Sequence, residues 1–166
     1  MPQARCPVYA LLDNVRSAWN VGSMFRTADA AGLAGLYLCG MTATPPRPDI
    51  EKTALGASAT VPWDYWPDSA EAVRAIAARG VQVVALERTD DARPHDTFAY
   101  RYPLCFVVGH EVEGVRPEVL AACDARVAIP MHGHKGSLNV AVSFGIMAYA
   151  ARQGWQAQAV PSSRQA

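Results

Sequence analysis

Residues 104–114 read Leu-Cys-Phe-Val-Val-Gly-His-Glu-Val-Glu-Gly, an apolar run that passes directly into a polar loop with a glycine at each end. The run Leu104–Val108 lies between Pro103 and Gly109 and predicts a buried strand. Glycines at the end of such a strand allow the backbone to pack against a ligand. This stretch therefore predicts a sheet and a site at its edge.

Four further strands and five helices are expected along the chain. The expected strands are Val8–Leu12, Leu36–Cys39, Val81–Leu86 and Arg126–Ile129. The expected helices are residues 20–31, capped by Asn20 and ended by Gly32; residues 50–55, capped by Asp49; residues 69–79, capped by Asp68 or Ser69; residues 118–122, after Pro117; and residues 138–152, capped by Ser137 or Asn139. Apolar strands that alternate with helices indicate an α/β domain with a mostly parallel sheet flanked by helices.

The size and composition indicate one globular domain. The chain has 166 residues, of which 51% are hydrophobic and 18% charged. We expect a cytoplasmic protein without a membrane span or signal peptide, with one domain at residues 1–155 and a flexible C-terminal tail at residues 156–166. None of the four cysteines forms a Cys-x-x-Cys pair, and Cys39 and Cys105, which lie in apolar runs, are expected to be reduced core residues. A net charge of zero argues against a strong generic polyanion binder, which needs an excess of lysine and arginine.

Three loops follow predicted strands and are expected to lie together. They are residues 86–89, 109–114 and 130–136, and two of them are rich in glycine. Parallel α/β sheets bind ligands beyond the carboxyl ends of their strands. The pattern therefore predicts a ligand site at that edge of the sheet.

A fourth segment, Asn20–Ala28, is expected to start a helix. A helix N-terminus favours an anion, and Arg26 could reinforce this preference. Gly22 in the first turn permits close approach by a ligand or by a neighbouring segment. The alternative is an ordinary capped helix with a solvated arginine.

Three other kinds of site are not favoured. The loop 109–114 is not a phosphate loop, because no Lys-Ser/Thr follows its second glycine and its carboxylates suit a cation instead. His132 and His134 have no cysteine or third histidine at zinc spacing, so no metal is expected. Ser137 does not lie in a Gly-x-Ser-x-Gly motif, which argues against a hydrolase nucleophile.

Three sequence blocks, taken in order, resemble the motifs of the SpoU/TrmH family of RNA methyltransferases in the SPOUT class. The first block is matched by Asn20, Gly22, Arg26, Thr27 and Ala28. The second is matched by Gly109, Glu111 and Gly114. The third is matched by Ile129, Pro130, Met131, Gly133, Ser137, Leu138, Asn139, Val140 and Val142. The resemblance covers about residues 8–153 and implies an α/β fold with a C-terminal deep trefoil knot.

The resemblance implies transfer of a methyl group from S-adenosylmethionine to a ribose 2′-hydroxyl of RNA, which leaves S-adenosylhomocysteine. It gives the central catalytic role to Arg26, either as a general base or as the donor that stabilises the developing alkoxide. Free guanidine is very scarce in water, which favours the donor. Glu111 would orient Arg26 or accept the proton. Asn20, Ser137 and Asn139 would complete the hydrogen-bonding shell. The implied cofactor contacts are Leu86, Gly109, Gly114, Ile129, Met131, Ser137 and Leu138.

The resemblance also implies a homodimer with the site near its interface. The last helix is the expected interface element, although its apolar positions can also be simple core; these are Leu138, Val142, Ile146 and Tyr149. A tRNA substrate is favoured over ribosomal RNA, with recognition by the dimer surface, by the loops 45–52 and 87–101, or by a partner protein. The alternatives are a catalytically silent RNA-binding module and a base-modifying methyltransferase of the same class. His110 departs from the family pattern, which has a small or amide residue there.

Overall fold

A computed structural model describes residues 3–160 and shows one sheet of seven parallel strands. The strands are β1 (Cys6–Asp13), β2 (Leu33–Cys39), β3 (Trp63–Trp66), β4 (Gln82–Leu86), β5 (Arg93–Pro94), β6 (Leu104–Val108) and β7 (Ala125–Ala128). Their order across the sheet is β3-β2-β1-β6-β4-β7-β5. The predicted α/β class is confirmed, whereas the trefoil knot stays a prediction.

Helices cover both faces of this sheet. They are α1 (Ala18–Ala31), α2 (Pro48–Ala54), α3 (Ser69–Ala78), α4 (Pro117–Ala122) and α5 (Val140–Ala159). Phe25 of α1 and Phe144 of α5 belong to one buried cluster, and Ile76 of α3 and Val119 of α4 belong to the cluster on the other face. The Phe144 ring lies 5.2 Å from that of Phe106 on β6. Burying each such ring contributes about 1.5–3 kcal/mol.

Two of the expected helix caps are wrong. The N-cap of α1 is Ser17, whose hydroxyl accepts a hydrogen bond from the Asn20 amide at 3.3 Å. Asn20 therefore lies within the first turn, and its side chain can bond elsewhere. The N-cap of α2 is Arg47, so Asp49 is already helical. The caps Asp68 and Asn139, and Gly32 at the end of α1, are confirmed.

Two strands were missed by the sequence prediction. β3 is the edge strand beside β2, and none of its four residues is fully buried, so it carries no apolar run. β5 has two residues and lies within the 87–103 segment that was expected to be a loop. The His95 amide donates to the Ala128 carbonyl at 3.0 Å, just beyond β5. Part of this segment is therefore attached to the sheet.

The last helix is longer than predicted. α5 continues past Arg152 and past the expected domain boundary at residue 155 to Ala159. Residues 161–166 of the expected tail lie outside the described residues. Over residues 3–160, no helix combines the length and the apolar character that crossing a membrane requires.

Candidate active site

A cavity of about 200 Å³ lies at the carboxyl ends of β4, β6 and β7, where the sequence predicted a ligand site. Its lining combines apolar side chains such as Val108 with the carboxyl-bearing residues Glu87 and Glu111. All seven expected cofactor contacts line it: Leu86, Gly109, Gly114, Ile129, Met131, Ser137 and Leu138. The structure thus brings these residues together, and their role in binding stays a prediction.

A chain of hydrogen bonds joins one residue from each of the three sequence blocks. The Asn20 Nδ2 donates to Glu111 Oε1 at 3.1 Å, and the Asn139 Nδ2 donates to Asn20 Oδ1 at a longer 3.4 Å. These pairs are separated by 91 and 119 positions in the sequence. Asn139 also caps α5 by accepting from the Ala141 amide at 2.8 Å. The start of α1, the loop 109–114 and the start of α5 therefore meet at one point.

Glu111 forms its hydrogen bonds with the start of α1 and not with Arg26. Its carboxylate accepts from the Arg16 amide at 2.9 Å and from the Ser17 amide at 3.0 Å, in addition to Asn20. Burial raises the pKa of Glu111, but the hydrogen bonds from Ser17, Arg16 and Asn20 together outweigh it, so the pKa lies below its usual value of 4.5. Glu111 is therefore an ionised, fully engaged carboxylate and a weak proton acceptor.

Glu111→Gln is expected to remove an acid-sensitive part of the stability. Because the folded pKa of Glu111 is lowered, its charge stabilises the fold fully above pH 4.5, and this contribution disappears as the pH falls through the lower folded pKa. The contribution is about 1 kcal/mol, since the group is largely exposed. Urea unfolding should show the wild type more stable than the variant near pH 7, with a smaller difference near pH 3. A difference that grows in acid would contradict this assignment.

Arg26 lies apart from the cavity of its own chain. It is exposed on α1, about 9 Å along the helix axis from Asn20. Within residues 3–160, Arg26 does not line the cavity, and no hydrogen bond or ion pair joins it to Glu111. The expected orientation of Arg26 by Glu111 is therefore not what the structure shows.

The ring of His110 closes the loop 109–114. Its Nδ1 accepts from the amides of Val112 and Glu113, each at 3.1 Å. The backbones of His110 and Gly114 also exchange two hydrogen bonds. A side-chain oxygen of asparagine or serine can accept from the same amides two and three residues ahead. This gives a physical reason why an amide or small polar residue also fits this position.

His110→Asn is expected to preserve the loop, and His110→Ala is expected to loosen it. Alanine leaves the Val112 and Glu113 amides without their acceptor, at a cost of about 1 kcal/mol. Hydrogen exchange at these two amides should be faster in His110→Ala and close to wild type in His110→Asn. Equal exchange in all three proteins would show that the ring does not hold the loop.

Glu87 is a cavity residue that the sequence prediction missed. Its carboxylate accepts from the Val115 amide at 2.8 Å and from the Arg88 amide at 3.0 Å. A side chain on Gly109 would collide with the backbone of Gly114 and Val115, so the two ends of this loop are closely packed. Glu87 thus ties the end of β4 to the end of the loop. The available signal was its position directly after a buried strand.

Asp13 is a second residue that was missed. It is fully buried at the end of β1 and accepts from the Arg116 side chain at 3.1 Å and from the Ser69 hydroxyl at 2.6 Å. The Arg116 amide donates to the same carboxylate at 3.1 Å. A buried carboxylate needs such partners. Through its bonds to Arg116, Asp13 fixes the segment that follows the loop 109–114.

The loop before α5 is the most open wall of the cavity. Residues 132–139 are all exposed, and the Arg88 side chain donates to the Gly136 carbonyl at 3.3 Å. In the described part of the chain, no three His, Cys, Asp or Glu residues come together as metal ligands, and this includes His132 and His134. The exposed main chain here is available to a ligand.

The chain is similar to a known protein family over most of its length. The family model of the SpoU rRNA Methylase family matches residues 7–149. The chain belongs to this family. The three blocks that meet at the cavity of this SpoU chain all lie within the matched range.

Relatives of the SpoU chain include enzymes named for two kinds of RNA. The 23S rRNA (guanosine-2'-O-)-methyltransferase RlmB of Vibrio parahaemolyticus is 32% identical over 153 residues, which cover 91% of this chain and 61% of RlmB. The tRNA (guanosine(18)-2'-O)-methyltransferase of Thermus thermophilus is 33% identical over 143 residues, covering 86% and 73%. The chain thus spans less than two thirds of the length of RlmB.

A solved structure shows the same fold. The AdoMet-bound rRNA methyltransferase from Sinorhizobium meliloti matches with a TM-score of 0.83 at 33% identity, over 92% of this chain and 57% of that one. The fold of the SpoU chain therefore has a counterpart in an enzyme that was solved with AdoMet bound.

Proposed function

We propose that this chain is an S-adenosylmethionine-dependent methyltransferase that acts on a ribose 2′-hydroxyl of RNA. The observation that carries the proposal is the hydrogen-bond chain of Glu111, Asn20 and Asn139 beside a cavity lined by every expected cofactor contact. The two relatives described above are named as 2′-O-methyltransferases, which supports the same chemistry here.

The cavity suits S-adenosylmethionine, which supplies the methyl group when it is bound. Apolar side chains such as Leu86, Val108 and Ile129 suit an adenine ring, and a small number of polar groups can fix its orientation. The carboxylates of Glu87 and Glu111 suit a sulfonium cation. The exposed backbone of residues 132–139 offers donors and acceptors to the polar ends of the cofactor.

Arg26 is the proposed catalytic residue. A guanidinium stays protonated at neutral pH, so it serves as a donor to the developing alkoxide and to the neighbouring phosphate rather than as a base. When bound, S-adenosylmethionine would supply the methyl group from its sulfur to the ribose oxygen, and the hydroxyl proton would pass to water. Glu111 positions the start of α1 and the side chain of Asn20.

A homodimer completes the site in this proposal. The apolar positions expected in the last helix are not core, because they remain 36% to 51% exposed: Leu138, which lies just before α5, and Val142, Ile146 and Tyr149 on α5. A side chain on Gly145 of α5 would lie 3.6 Å from Thr27 of α1, so the helix that carries Arg26 packs directly beside α5. A second copy packed on this face would bring Arg26 towards the cavity of its partner.

In this proposal, the surface of the protein that contacts the RNA selects between tRNA and ribosomal RNA. RlmB is named for 23S rRNA and the Thermus thermophilus relative for tRNA, so the relatives do not favour the tRNA preference drawn from the sequence. tRNA stays the proposed substrate, in line with the Thermus thermophilus relative, and 23S rRNA is the alternative that the test distinguishes. The proposed location of the reaction is the cytoplasm.

The test is methyl transfer by the purified chain to unmodified transcripts of tRNAs and of 23S rRNA. A 2′-O-methyl group protects the adjacent phosphodiester from alkaline cleavage, so product mapping distinguishes ribose from base methylation. Calorimetry without any cofactor binding at high micromolar concentration would contradict the proposal. Label on the base would favour the base-modifying alternative, and RNA binding without transfer would favour the silent module.

A further inference from the structure

Trp19 is a large aromatic side chain left exposed beside the candidate site. It is 51% exposed, although it lies in the first turn of α1 and directly precedes Asn20. Asn20 is bonded to Glu111, a residue of the cavity wall. Trp19 is therefore one residue along α1 from the end of the site at which the ribose is proposed to bind.

The backbone of Trp19 is held by α2. The Thr53 hydroxyl donates to the Trp19 carbonyl at 2.8 Å. A side chain on Gly22 would collide with Thr53 and with the Ile50 carbonyl, so Gly22 is present for close packing of α1 against α2. Gly22 therefore faces the neighbouring helix α2 and not a ligand.

Positive charge accompanies this aromatic ring. The Lys52 Nζ lies 5.4 Å from the centroid of the Trp19 ring, within the range of a cation–π contact. Arg16, three residues before Trp19, is exposed at the same end of α1. Because the net charge of the chain is zero, these cations are a local feature rather than part of a generally basic surface.

We infer that Trp19 is a stacking platform for an unpaired RNA base next to the methylated ribose, with Lys52 at the adjoining phosphate. The inference rests on the proposed function, because it requires the ribose to lie near Asn20 and Glu111. Proteins recognise single-stranded RNA by stacking unpaired bases on aromatic side chains beside cationic groups. Trp19 and Lys52 would thus select an unpaired, loop-like RNA segment rather than a duplex.

The test compares steady-state methyl transfer by the full chain and its variants on the unmodified tRNA and 23S rRNA transcripts. Trp19→Ala is expected to raise the KM for RNA by about 5- to 150-fold, the range that follows from loss of one stacked base. The kcat at saturating RNA and the affinity for S-adenosylmethionine are expected to stay near wild type. Trp19→Phe should restore most of the KM, and Lys52→Gln should reduce the salt dependence of RNA binding by about one phosphate contact.

Trp63→Ala is the matched control. Trp63 is also an exposed tryptophan, but it lies at the start of the edge strand β3, and its loss is expected to leave the KM unchanged. An active wild type with an unchanged KM in Trp19→Ala would overturn the inference alone. Conversion of Trp19→Ala to a monomer would assign the ring to a subunit contact and would also overturn it. A wild type without transfer to either RNA would instead refute the proposed function.

Discussion

Arg26→Ala is expected to reduce kcat for methyl transfer by about 100- to 1000-fold while leaving S-adenosylmethionine binding nearly unchanged. Loss of one donor to a developing oxyanion typically costs this much, about 2.7–4 kcal/mol. Binding of the cofactor should persist because all the expected cofactor contacts line the cavity without Arg26, which in the proposed dimer reaches the ribose rather than the cofactor. Single-turnover transfer and calorimetry with S-adenosylmethionine measure the two effects separately.

Arg26→Lys is the matched variant for this experiment. Lysine keeps the positive charge but loses the planar, two-pronged donor set, so a loss intermediate between wild type and alanine is expected. Wild-type turnover in Arg26→Ala at saturating RNA would exclude the proposed role. If Arg26→Ala lowered the affinity for S-adenosylmethionine by the same factor as kcat, Arg26 would instead belong to the cofactor site.

Ile146→Glu is expected to convert a dimer into monomers and to abolish transfer. Ile146 is 36% exposed on the apolar face of α5, beside Val142 and Tyr149. In a two-fold symmetric interface each substitution occurs twice, and an unpaired charge in an apolar contact costs several kcal/mol. Sedimentation should show the mass of one chain for the variant and of two for the wild type.

Ala121→Glu provides the control for charge and helix position. Ala121 is exposed on α4, which packs on the opposite face of the sheet from α5. This variant is expected to remain dimeric and active. If Ile146→Glu stays dimeric, or if the wild type is itself a monomer, the proposed interface is wrong.

The sequence was most informative where burial leaves a strong pattern. The central strands β1, β4 and β6 carry apolar runs, and all three were predicted. β3 was not predicted, because Trp63–Trp66 lies at an edge where no residue needs to be fully buried. Strand prediction therefore depended on how many neighbours each strand has in the sheet.

The members of the site could be predicted, but their mutual contacts could not. Motif order identified Asn20, Glu111 and Asn139, yet their bonds cross 91 and 119 sequence positions. Asn20 was expected to cap α1 because asparagine commonly does so, and tertiary bonding to Glu111 left the cap to Ser17. Local propensity could not foresee a competing partner so far along the chain.

The contact between Asn20 and Asn139 has a thermodynamic consequence. Asn139 caps the helix that follows the exposed loop proposed to bind the cofactor, and Asn20 belongs to the helix proposed to meet the ribose. If binding of S-adenosylmethionine orders that loop and so strengthens the hydrogen bond from Asn139 to Asn20, then the binding of S-adenosylmethionine and the binding of RNA are linked. Such linkage is reciprocal. The factor by which S-adenosylmethionine increases the affinity for RNA must equal the factor by which RNA increases the affinity for S-adenosylmethionine. The same reciprocity would apply to the two products, so departure of the methylated RNA would weaken the binding of S-adenosylhomocysteine by the factor that links them.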